Sequence, residues 1–135
     1  MKHLSYILIS ALMLLSACTE SVDNAARQDQ LPKIFPDYIG VTIPENIAPM
    51  NFCVDDNIEK IDVTVRGSNG GEMHVQDDYA DFDIDEWHSI VSQNKGGKLT
   101  FSVCVKKGGQ WLRYNDFTMT VSQYDMPDYA LTYRR

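Results

Sequence analysis

The stretch KIDVTVRG, residues 60–67, decides the fold class. Ile61, Val63 and Val65 alternate with Asp62, Thr64 and Arg66, so an extended chain has one apolar and one polar face. The same period of two recurs on both sides of it. Upstream it takes Met50, Phe52 and Val54. Downstream it takes Met73 and Val75 in EMHVQ, then Phe82 and Ile84 in DFDID, then Leu99, Phe101, Val103 and Val105, and finally Phe117, Met119 and Val121. Six half-buried strands separated by turn sequences such as SNGG and KKGG predict a mainly β protein: a single antiparallel, immunoglobulin-like β-sandwich over residues 50–122. VKKGGQW is the clearest hairpin signal, because paired glycines supply the positive φ that tight hairpin turns require.

One segment departs from this period. In DEWHSIVSQNKGG, Trp87, Ile90 and Val91 fall at i, i+3 and i+4, the single apolar face of one short helix. Asp85 is placed to cap its start, and Asn94 with Gly96 and Gly97 to end it. The helix is expected to close one end of the sandwich with Trp87 buried.

The two ends of the chain carry different information. Residues 1–17 read as a signal peptide: Lys2 gives the positive start, and Leu4 to Leu15 form an apolar run too short for a comfortable membrane span. Leu15-Ser16-Ala17-Cys18 closely resembles the lipobox of bacterial lipoproteins, which implies cleavage after Ala17 and a diacylglycerol thioether on Cys18. Acyl chains contribute about 0.8 kcal/mol per buried methylene, and more than one chain anchors stably. The expected location is therefore the cell envelope, as an outer-membrane lipoprotein facing periplasm or cell surface. Thr19 follows the cysteine in place of the aspartate of inner-membrane retention, and Glu20 with Asp23 is a sparse acidic signal for surface display. Removal of residues 1–17 leaves 118 of the 135, enough for one small core, and loss of Lys2 takes the net charge from −7 to −8. So acidic a chain has no basic footprint for nucleic acid.

Residues 18–30 are polar and aperiodic, and read as a lipid-anchored tether. Residues 31–49 carry four prolines and read as an extended segment along a domain edge.

Candidate sites are few. Asp81, Asp83 and Asp85 match the start of a calcium loop, but Glu86 stands where glycine is needed and Ser92 where a bidentate carboxylate is needed. The same spacing arises on a strand's solvent face, and no metal or cofactor is expected. Cys53 and Cys104 form a candidate disulfide in an exported domain. Against it, the pleat turns both away from the core, so bridging would need their strands to be neighbours in one sheet. His74 and His88 lack metal-ligand spacing, and Ser89 beside His88 on a helix does not face it. No nucleophile, phosphate-loop or haem motif occurs, and an enzyme is not expected. Tyr114, Tyr124, Tyr129 and Tyr133 are either a binding face or packing.

Several strings also carry a family likeness: I-P-x-N-I-A-P at Ile43 to Pro49, Trp87 ahead of Asn94-Lys95-Gly96, Gly109 ahead of Trp111, and the closing DYALTYRR. Together, over Leu31 to Arg135, they resemble the N-terminal region of envelope lipoproteins that carry a TolB-like, WD-type β-propeller, some of them labelled as cytochrome c biosynthesis proteins. The resemblance implies a β-rich accessory domain on a lipid anchor, with residues 123–135 as the exit toward a propeller that this sequence lacks. Ala130 and Thr132 depart from the exit pattern. On this reading the chain is non-catalytic and presents or supports a partner protein or a propeller domain. The alternative is a stand-alone surface adhesin or carbohydrate-binding domain, which would need Trp111 and Tyr114 exposed on one loop face.

Overall fold

Lys60–Gly67 is a strand, and its apolar face lies at the centre of the core, where Ile61, Val63 and Val65 are fully buried. The computed structural model describes residues 19–54 and 56–125. Within them the strands in chain order are β1 (Ala26–Arg27), β2 (Ile34–Phe35), β3 (Thr42–Ile43), β4 (Cys53–Val54), β5 (Lys60–Gly67), β6 (Glu72–Asp77), β7 (Lys98–Lys107), β8 (Gln110–Arg113) and β9 (Phe117–Val121). Helix α1 (Ile84–Gln93) sits between β6 and β7.

The main sheet is built around β7, whose ten residues outrun any single neighbour. One edge pairs antiparallel with β5, which pairs in turn with β6. The other edge is shared: Lys98–Phe101 pair with β9, and Cys104–Lys107 with β8 through the KKGG hairpin. Gly108 and Gly109 adopt φ of 54° and 76°, the conformation that made this turn legible. Two short parallel pairs extend this edge, β1 on β8 and β3 on β9. Among the described residues the fold is thus mainly β with one helix, as expected, and sandwich-like. Its central pairs are antiparallel, whereas the sheet as a whole is mixed because the polar and proline-rich segments add strands at its border.

The core face of this sheet is covered by a small β2–β4 sheet and by α1. Phe52, Phe82 and Trp87 from the cover meet Phe101 and Phe117 from the sheet. Phe82 stacks on Trp87 with centroids 5.4 Å apart, and Phe101 on Phe117 at 4.9 Å. The helix buries Trp87, Ile90 and Val91, and Trp87 Nε1 donates to the carbonyl of Ile47 at 3.1 Å.

Two local expectations are corrected. The helix starts earlier, because Asp83 rather than Asp85 is the cap and accepts from the backbone N–H groups of Asp85 and Glu86. DFDID therefore forms no strand; Phe82 is buried, but Ile84 is turned out to 54 % exposure on the helix's first turn. At the other end Asn94 is the C-cap, as expected, and is fully buried.

Candidate functional site

The face of the main sheet turned away from the core is where polar chemistry collects. Pairing registers place its outward residues in rows across the strands. One row runs Gln76, Asp62, Cys104, Arg113, Arg27; the next runs His74, Thr64, Ser102. The segment read from the sequence as a tether lies over this face. Glu20 receives Lys106 Nζ on both carboxylate oxygens at 2.9 Å and Trp111 Nε1 at 3.2 Å, with Lys60 Nζ at 3.8 Å. Gln76 exchanges hydrogen bonds with the Glu20 backbone at 2.8 and 2.9 Å. The neighbouring Lys106 ammonium holds the Glu20 carboxyl below its usual range, against the opposing effect of partial desolvation. Past this contact the segment continues to β1, which lies along β8.

Between this strap and the sheet lies a groove of ≈ 460 Å³, lined by Arg27, Asp62, Thr64, Arg66, Ser102 and Arg113 among others. Asp62 is 3 % exposed and accepts from His74 Nε2 at 2.6 Å and from Gln76 Nε2 at 3.0 Å, both on Oδ2. Ser102 is 8 % exposed, and its Oγ, among the described residues, is buried without a hydrogen-bond partner. Arg66 lies 3.6 Å from Glu72 and Arg113 3.9 Å from Asp116, both pairs well exposed and therefore weak.

Nothing in this arrangement pairs a nucleophile with a base. Ser102 and His74 occupy one row but flank Thr64, two strand spacings apart or about 9.6 Å. Burial, with the Asp62 carboxylate beside it, pushes the Cys104 thiol up to about 11, away from thiolate chemistry. The geometry offers hydrogen bonding and charge complementarity to a bound molecule.

The other residues singled out from the sequence fall elsewhere. Cys53 and Cys104 are both free, and the candidate bridge is not formed. Cys53 is exposed in β4, its thiol 3.5 Å from the carbonyl of Phe35 in β2. That small sheet covers the core face, whereas Cys104 lies on the opposite face of the main sheet, so the intervening layer separates them. Of Asp81, Asp83 and Asp85, Asp83 caps α1, Asp81 accepts from the side-chain amide Asn51 Nδ2, and Asp85 donates its backbone N–H to the Asp83 cap. His88 and Ser89 are exposed on α1, outside the groove. Tyr114 is buried and Trp111 is partly buried with its N–H on Glu20, so the two do not form an exposed aromatic face. Tyr124 is exposed. Ala17, Cys18, Tyr129, Ala130, Thr132 and Tyr133 lie outside the described residues.

Sequence reading missed the groove because it took Asp62, Thr64 and Arg66 for a solvent face and residues 18–30 for a free tether. One signal was available. Ser102 and Cys104 are consecutive outward positions of β7 and both are small, which suits a sheet face covered by another piece of chain. No protein-family model, no curated protein and no solved structure matches the chain.

Proposed function

We propose that this protein is a lipid-anchored cell-envelope lipoprotein, attached to the outer membrane through Cys18, whose non-catalytic β domain presents its strand edges and loops to a partner. The partner is a separate protein or, following the family resemblance, a TolB-like propeller domain. The observation that carries the reading is the position of Glu20. It is clamped by Lys106, Lys60, Trp111 and Gln76 only two residues after the cysteine of the lipobox. Two residues span at most about 7 Å, so an acylated Cys18 would hold this end of the sheet close to the bilayer, as a mount and not a long tether. Among the described residues β6 pairs with β5 alone, and its other edge, along Glu72, His74 and Gln76, is the border offered to such a partner.

Metabolic labelling with an alkyne-bearing palmitate tests the anchor. The expected result is label and membrane fractionation for the wild type and loss of both in Cys18→Ser. An unlabelled wild-type chain, or a labelled Cys18→Ser chain, would overturn the proposal.

A further inference from the structure

We infer that the groove under the N-terminal strap binds a small zwitterion carrying an ammonium and a carboxylate group, of the size of a dipeptide. The carboxylate end is set by Arg27 and Arg113. They are register partners across the β1–β8 pair and both line the groove, so two cationic side chains leave the same face of adjacent strands. Like charges directly opposite each other on neighbouring strands repel. Among the described residues Arg27 has no ion pair, and Arg113 has only the exposed one to Asp116 at 3.9 Å. A carboxylate between the two forks would relieve that repulsion and accept bidentate hydrogen bonds.

The ammonium end is set by Asp62, in the same row and two strands away across β7, about 9.6 Å between backbones. Its hydrogen bonds from His74 and Gln76 both fall on Oδ2, so Oδ1 makes no bond among the described residues. Ser102 lies on the strand between these ends. Its Oγ, buried without a partner among the described residues, is the independent sign that the groove takes a ligand, because a buried hydroxyl left unsatisfied is unfavourable. An extended dipeptide spans about 7 Å between its charged ends, and about 12 Å with a hydrogen bond at each; that matches the two and a half strand spacings from Asp62 to a point midway between Arg113 and Arg27. Opposite charges at the two ends also explain how a ligand is accepted by a chain of net charge −7, where a simple anion would be repelled.

Three probes separate the parts of this inference in a nitrogen-15 NMR titration of the full chain in detergent micelles: glycylglycine, N-acetylglycylglycine and glycylglycinamide. Glycylglycine is expected to shift the amides of Thr64, Ser102 and Arg113. The two blocked forms, each lacking one charge, should bind about tenfold more weakly or worse. Arg113→Gln should weaken glycylglycine by a similar factor. Ser102→Ala should weaken it several-fold while leaving the melting temperature unchanged or raised, since it deletes a hydroxyl that has no partner. The inference is overturned by any of three results: no local shifts with glycylglycine at tens of millimolar, N-acetylglycylglycine binding equally well, or affinity unchanged in both variants.

Discussion

Asn94 provides the sharpest test of how the helix is fastened to the sheet. Its side chain is fully buried and makes three hydrogen bonds: Nδ2 donates to the carbonyls of Gly70 at 2.9 Å and Ile90 at 2.8 Å, and Oδ1 accepts from the backbone N–H of Asn69 at 2.7 Å. One amide thus joins the end of α1 to the turn between β5 and β6. Asn94→Ala removes all three and leaves buried backbone groups to find other partners. At about 1 kcal/mol net per bond, plus a small cavity, the expected cost is about 3–4 kcal/mol. Asn94→Asp keeps the shape and the bond to Asn69, but sets a buried carboxylate against two carbonyl oxygens. That raises the carboxyl pKa in the folded state above its unfolded value. Its stability should therefore be nearest wild type below the unfolded carboxylate pKa and decline as pH rises through the folded one. Gly67→Ala attacks the same joint from the other side, because a β-carbon there would stand 1.9 Å from Asn94 Nδ2. Urea unfolding followed by tryptophan fluorescence would measure all three, with Asn94→Asp repeated across the acid range. A loss below about 1 kcal/mol for Asn94→Ala would refute the reasoning, since a single net hydrogen bond is worth that much. Equal stability of Asn94→Asp and wild type at neutral pH would do so too.

Other outcomes follow from single contacts. Trp87→Phe removes the hydrogen bond to Ile47 and part of the stack on Phe82, and should cost about 2 kcal/mol in the same unfolding assay. Alkylation with iodoacetamide at mild alkaline pH should modify exposed Cys53 rapidly and spare Cys104, which is buried with its thiol pushed up to about 11; equal rates would contradict the strap's position. The Glu20 carboxyl is held below the usual value of 4.5, so docking of the strap should be complete above that pH and lost as pH falls through the depressed value. Hydrogen exchange of the β1 amides and Trp111 fluorescence should report the release, and Glu20→Gln should flatten the pH response.

What was legible in the sequence is what local periodicity encodes. β5, β6, β7 and β9, the KKGG hairpin and the buried Trp87 face of α1 all come from side-chain alternation or spacing within a few residues. DFDID was misread because Asp83 serves equally as a strand's polar position and as a helix cap, and only the packing of Phe82 on Trp87 decides between them. The parallel additions of β1 and β3 were not legible. Two-residue strands carry no period, and their partners lie far away in the chain. The groove depends on those additions, so its parts were visible as residues while their convergence was not. Arg27 and Arg113 become neighbours solely through the β1–β8 pairing.

Those same parallel pairs set an order of events for a chain that emerges from its amino end. Ala26 pairs with Leu112 and Thr42 with Thr120. Separations of roughly eighty residues close slowly, after the local hairpins have formed. β5 and β6 can zip as soon as both are free, but until β7 and β8 have appeared the strap has only Gln76 and Lys60 to meet. Glu20 finds Lys106 and Trp111 only then. In the proposed lipoprotein, the residues next to Cys18 would therefore remain slack during translocation, accessible to acylation and cleavage. They would be drawn down onto the sheet only once the rest of the domain is complete, so the late contact that seals the groove would also mark the end of the protein's maturation.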